Sequence, residues 1–263
     1  MAMKLQPLFL FIAVSYLLLT ASPSQSAQPA YREAVPVPTR LSNETQSSIP
    51  QVFFKPSGTG QPPRTRGAGS RNDRHCPQDV PTRLGSSTPA PLALTALVPS
   101  SQEGLTESER PTVWVYLPKT SARQMVLSIR KNGSQPHSQR FLPLTGDPGI
   151  VGIPLDENAP PLEIDKSYQW AVVLLCGDRP NPNDPVVAAW VRRVAPSDSI
   201  NRPQESLERA AWYGERGIWY DALTTLAEAR RSQPIDPAFT EIWANFLTQP
   251  TVGLSAIANE PLP

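Results

Sequence analysis

Between residues 92 and 195 the chain repeats one pattern, in which short β-rich runs alternate with turn residues at fairly even spacing. The runs are LALTALV (92–98), TVWVYL (112–117), RQMVLSIRK (123–131), QRFLPL (139–144), GIVGIPL (149–155), SYQWAVVLLC (167–176) and VVAAWVRRV (186–194). Seven such runs in about 100 residues predict an antiparallel β-sandwich of immunoglobulin-like type. No strand–helix–strand alternation occurs, which argues against a doubly wound or barrel enzyme scaffold. In TVWVYL, Val113, Val115 and Leu117 share one face and Trp114 and Tyr116 the other. Both faces are apolar, so this strand is expected to be covered on both sides. Asn132-Gly133 tolerates positive φ at both positions and predicts a tight hairpin.

From Asn201 the hydrophobic period changes from two to 3.6. Asn201 is read as the cap of a first helix beginning near Pro203, with Leu207, Ala210, Ala211 and Gly214 on one face. Gly217 ends it. Trp219, Ala222, Leu223 and Leu226 line a second helix. Asp236 and Pro237, an N-cap followed by proline, open a third along Phe239, Ile242, Trp243, Phe246 and Leu247. Residues 210–237, AAWYGERGIWYDALTTLAEARRSQPIDP, resemble one tetratricopeptide-like helical hairpin. One repeat cannot bury its own core. Its aromatic cluster, Trp212, Tyr213, Trp219 and Tyr220, is therefore expected either to pack on the sandwich or to offer a partner surface, a second copy included. The fold class that results is mainly β with an α tail. A sandwich at 86–196 precedes a helical module at 201–248 and a flexible tail at 249–263.

The first third reads differently. Lys4 is the only charge before Arg32, and Leu5–Leu19 form an apolar run of signal-peptide length followed by small polar residues. Residues 1–27 are read as an export signal cleaved near Ala27, with an uncleaved membrane anchor as the alternative. No later stretch is long and apolar enough to span a bilayer. Residues 28–85 are rich in Pro, Ser, Thr, Gln and Gly and are read as a flexible linker. Twelve of the 32 prolines lie between Pro29 and Pro99. Arg64, Arg66, Arg71 and Arg74 form a basic patch suited to an anionic polymer. Without aromatics for stacking it does not read as a nucleic-acid site. The net charge is +1 with Lys4 counted, which argues against a polybasic binder.

Candidate chemistry is sparse. Cys76 and Cys176 are the only cysteines, and in an exported chain they read first as one disulfide. A reactive Cys76 beside Asp73 and His75 is the alternative. His75 and His137 are too few for a zinc centre, and no Cys-x-x-Cys or His-Glu-x-x-His occurs. Asp178, Asn181, Asn183 and Asp184 could ligate Ca²⁺ or simply form Asx turns. Asp156, Glu157, Glu163 and Asp165 could supply a glycosidase-like acid pair or only a solvated loop. Neither a nucleophile elbow nor a phosphate loop is present. No cofactor is expected.

The blocks RGAGSRNDRHC (66–76), PLALTALVPSSQEGLTESERPTVWVYLP (91–118), GIVGIPLDENAPPLEIDKSYQWAVVLLC (149–176) and VVAAWVRRV (186–194) occur in this order. Together with the helical tail they resemble the secreted cyanobacterial family known as domain of unknown function nine-two-eight, over roughly residues 65–245. The specific parts are Gly-x-Thr-x-Ser-x-x-Pro-Thr at 104–112 and Tyr-x-Trp…Cys at 168–176. The resemblance implies a periplasmic or extracellular setting and brings no catalytic residue with it. The expectation is an exported, non-enzymatic interaction or scaffold protein of the envelope, with a protein or polysaccharide partner. A hydrolase using the acidic loops and an anionic-polymer binder are the alternatives.

Overall fold

The computed structural model describes residues 51–57, 75–79, 91–101, 103–197 and 199–263. The export signal and the Arg64, Arg66, Arg71 and Arg74 patch lie outside the described residues. Among the described residues, eight strands form two sheets: β1 (Thr95–Ala96), β2 (Glu103–Thr106), β3 (Thr112–Leu117), β4 (Gln124–Lys131), β5 (Gln135–Pro143), β6 (Gly149–Pro154), β7 (Ser167–Leu175) and β8 (Val186–Arg193). One sheet has the order β1-β3-β6, the other β2-β8-β7-β4-β5. A single hydrophobic core joins them, fed by Val113, Val115 and Leu117 of one sheet and Leu127, Ile129, Trp170 and Val172 of the other.

The expected sandwich is present, and β3 is central in its sheet and buried on both faces. Asn132 and Gly133 adopt φ of 53° and 72° and turn β4 into β5. Pairing is not wholly antiparallel, however. The extra strand β2 lies parallel to β8. Its sequence, EGLT, shows no alternation, so the period test passed over it. Gly104 sets its position: a Cβ there would come within 2.7 Å of Tyr220 and 2.9 Å of Trp219. Conversely, the first run shortens to the two-residue β1.

Three helices follow: α1 (Ser206–Glu215), α2 (Trp219–Ser232) and α3 (Pro237–Thr248). Asn201 ends a 3₁₀ turn and does not cap α1, whose N-cap position is Glu205. Gly217, at φ 71°, reverses the chain into α2 as its sequence position predicts. Asp236 caps α3 by accepting from the Ala238 amide at 2.9 Å, with Pro237 at the first helical position.

The helices are not a separate module. Their apolar faces belong to the same core as the sheets. Trp219 Nε1 donates to the Leu97 carbonyl (3.0 Å), and Trp114 Nε1 of β3 donates to Thr224 Oγ1 of α2 (3.0 Å). Trp170 Nε1 donates to the Tyr220 hydroxyl (2.6 Å), which in turn donates to the Trp190 carbonyl (3.0 Å).

Two segments read as flexible are also packed. Within the expected 28–85 linker, Val52 and Phe54 insert into the core, and Phe54 meets Trp219 edge-on at 4.9 Å. The Gln249 side-chain amide accepts from the Phe54 amide and donates to the Val52 carbonyl, each at 2.8 Å. Gly214 makes room, since a Cβ there would stand 2.2 Å from the Phe53 carbonyl oxygen. In the expected tail at 249–263, Val252, Leu254, Ile257 and Ala258 are buried. Pro261 continues the chain along β6, accepting from the Ile150 amide at 2.7 Å. In both cases a few apolar residues, spaced too irregularly to show a period, find complementary niches made by the rest of the chain.

Cys76 and Cys176 form a disulfide across 100 residues. Replacing both with serine is expected to lower the unfolding free energy by up to about 4.7 kcal/mol in the chain-entropy limit, measured by urea denaturation. Phe54→Ala is expected to cost about 3–5 kcal/mol in the same assay, as for other buried aromatics. A cost near zero would mean that residues 51–57 do not pack.

Candidate functional site

The sequence left two readings open for the aromatic cluster of the helical hairpin, packing on the sandwich or a partner surface, and the rings pack. Trp219 and Tyr220 are fully enclosed, and Tyr213 is 7% exposed. Only Trp212 is partly accessible, and Arg216 lies 4.0 Å over its ring with Arg202 at 5.5 Å on it. A lone hairpin would have exposed these rings. Here the sandwich covers them. The strand aromatics Trp114, Tyr116, Tyr168, Trp170 and Trp190 are buried as well.

The other candidates resolve into structural roles. Asp184 is buried and accepts from the amides of Cys176 (3.3 Å) and Asn181 (2.8 Å), while Asn181 Oδ1 accepts from the Asn183 amide. These are Asx-type turns that fold the 176–185 loop. Asp156 likewise accepts from the Asn158 amide, and Glu163 pairs with Lys131. That contact lowers the Glu163 pKa and raises that of Lys131. Asp165 holds a left-handed turn at φ 58°. His75 meets the Leu92 carbonyl and His137 that of Pro160. Cys76 is not a reactive thiol, since it is consumed in the disulfide.

What the structure adds is a trough on the outer face of the five-stranded sheet. Strand register builds it row by row. Phe141, Val126, Val173 and Val186 lie side by side across four strands and form an apolar row. The next row is Gln139, Ser128, Ala171 and Ala188, and the small side chains of the last three lower the floor. The third is Arg130, Gln169, Trp190 and Glu103. At this end the hairpin turn bends over Trp190, and a Cβ on Gly133 would touch its ring at 2.8 Å. Pro180 of the 176–185 loop walls the other side. The depression measures about 360 Å³, and Phe141 is 52% exposed at its rim.

An apolar row beside hydrogen-bonding Gln139, Ser128 and Gln169 suits a segment that presents both apolar side chains and backbone polar groups. Sequence reasoning missed this face because it searched for aromatic or charged clusters. The available signal was the small, neutral character of alternate residues such as Ser128, Ala171 and Ala188, where an exposed sheet face ordinarily carries larger polar groups.

A second, smaller depression of about 240 Å³ opens between the β2–β3 connection and the helices. Asp221, in the first turn of α2, accepts from Thr106 Oγ1 (2.7 Å) and the Glu107 amide (3.2 Å). Neighbouring Glu107 accepts from the Ser197 amide and hydroxyl and from Arg202. Arg193 donates to the Leu162 carbonyl and to Glu109. The Gly-x-Thr-x-Ser-x-x-Pro-Thr block is thus a polar seam that fixes sheet to helix.

Burial pushes the Asp221 pKa up to about 6, against the opposing hydrogen bonds from Thr106 and the Glu107 amide. The folded state therefore holds this proton more tightly than the unfolded chain. That contribution is complete below the unfolded pKa of about 4 and is lost as pH rises through about 6. Urea denaturation is expected to show the wild type losing about 1–3 kcal/mol between pH 4 and pH 7 relative to Asp221→Asn. Parallel pH profiles for the two proteins would contradict the shift.

Among solved structures, the fibronectin type III domain of human collagen alpha-1(XX) chain is similar at 14% identity. The similarity covers 46% of this chain and 99% of that one, with a TM-score of 0.25, too slight to carry an argument. No curated protein matches. The family model of DUF928, a Domain of Unknown Function, matches residues 66–262, which takes in both sheets, all three helices and the disulfide. The chain therefore belongs to the DUF928 family.

Proposed function

We propose that this protein is an exported, non-enzymatic interaction or scaffold protein of the cell envelope that takes a partner in the trough of its outer sheet face. The trough is the observation that carries the reading. It joins an apolar row to a small-residue floor and unhindered amide side chains, and none of the acidic loop residues lines it. Export is supported by the disulfide, which persists in oxidising compartments, and by the apolar run at the N-terminus. No helix among the described residues is long and apolar enough to cross a membrane. The partner that fits is an envelope protein presenting an extended segment with small aliphatic side chains, whose backbone meets Gln139 and Gln169.

Filling the floor tests this directly. Ala171→Arg and Ala188→Arg project into the trough from strand positions whose backbone pairing does not change. Chemical crosslinking of the oxidised protein in envelope extract is expected to yield a defined partner. Either substitution is expected to weaken its capture about tenfold or more, because an arginine displaces the central contacts. Capture of the same partner at wild-type strength by both variants would place the interaction elsewhere. Turnover of a substrate by the purified protein would contradict the non-enzymatic part.

A further inference from the structure

The depression between the β2–β3 connection and the helices has a lining unlike that of the trough. Its lining residues include Ser108, Thr112, Thr224, Thr225 and Tyr213, which carry hydroxyls, the carboxylate residue Asp221, and Arg110, whose guanidinium also meets the Ala159 carbonyl and Glu109. Several of these groups have hydrogen-bonding capacity left over. Tyr213 is 7% exposed and Thr225 8%, and neither hydroxyl has a protein partner among the described residues. Ser108 Oγ accepts from the Arg110 amide and Thr224 Oγ1 from Trp114, so each hydroxyl proton remains to be donated. Asp221 uses Oδ2 for both of its contacts with the β2–β3 connection. Burial raises the Tyr213 pKa, and the nearby Asp221 charge acts in the same direction against the opposing Arg202.

Such a lining asks for a ligand that both donates and accepts at many closely spaced points. Hydroxyls do both, a carboxylate only accepts and a guanidinium only donates. An apolar ligand would leave these groups unpaired, at about 1–3 kcal/mol each. An anion would face Asp221, and a cation would face Arg110. A neutral polyhydroxylated ring meets all three kinds of group. The volume, about 240 Å³, is smaller than the roughly 300–1,000 Å³ of drug-sized sites and corresponds to one ring. We propose that this depression is a saccharide-binding site that takes a single neutral sugar residue, hydrogen-bonded by Asp221, Tyr213, Thr225 and Ser108. The site is separate from the trough and does not rest on it, since the two share no lining residue.

Amide chemical shifts of the full-length oxidised protein test the proposal, titrated with methyl glucoside, methyl galactoside and N-acetylglucosamine, with glycine as a zwitterionic control. At least one sugar is expected to shift the amides of residues 106–112 and 221–225 saturably, with a dissociation constant in the millimolar range. Asp221→Asn and Thr225→Val are each expected to weaken that binding about fivefold or more, with far-ultraviolet circular dichroism unchanged. Should either variant unfold, Ser108→Ala provides the same reading from a surface loop. Ala171→Arg, which blocks the trough, is expected to leave sugar binding intact. No saturable shift with any sugar, shifts confined to other residues, or a response to glycine alone would each overturn the proposal.

Discussion

The structure depends on how the first turn of α2 is fastened between the sheets. Tyr220 is wholly enclosed, and its hydroxyl bridges the Trp170 indole on β7 and the Trp190 carbonyl on β8. Trp219, the residue before it, reaches the Leu97 carbonyl just beyond β1 and stacks on Phe246 of α3 at 5.3 Å. Two adjacent residues thus hold both sheets and a second helix. Burying aromatics with polar tips is favourable only when those tips are paired, so each ring also specifies where its partner strand must lie.

Several other features follow from that attachment. β2 must be glycine-bearing where it crosses these rings, which is why Gly104 stands in this strand. The connection from β2 to β3 then runs over the N-terminal turn of α2, where Asp221 receives Thr106 and the Glu107 amide. With the helices joined to β2 and β3, no helix among the described residues lies on the outer face of β4, β5, β7 and β8, and the trough lies there. The disulfide holds residues 75–79 against the end of β7, where Gln78 also donates to the Cys176 carbonyl.

Much of this was legible in the sequence, in a way that reflects what local patterns encode. TVWVYL became β3 without a change of boundary, and Asp236-Pro237 began α3, because side-chain alternation and capping are local properties. The Asn132-Gly133 turn was readable for the same reason. The cysteine pair followed from number and setting, and the family from ordered blocks. What could not be read depended on distant partners. EGLT is a strand only because β8 accepts it, and Val52 and Phe54 are core only because α1, α3 and Gln249 form their niche. The rings of the helical hairpin suited either the sandwich core or a partner surface, and no local pattern could decide between them. Their burial was decided by the sandwich beside them. The trough was invisible because it exists only across strands, as rows of residues separated by up to 87 positions along the chain.

The central claim is that sheets and helices form one cooperative body held at Tyr220. Equilibrium unfolding of Tyr220→Phe tests it most directly, followed by near-ultraviolet signals from the core tryptophans and far-ultraviolet signals from the helices. Loss of the hydroxyl leaves the Trp170 N–H unpaired in the core. The variant is therefore predicted to lose about 1–3 kcal/mol, with both signals still moving in one coincident transition. Wild-type stability, or a helical transition separating from that of the sheets in the wild-type protein, would contradict the account.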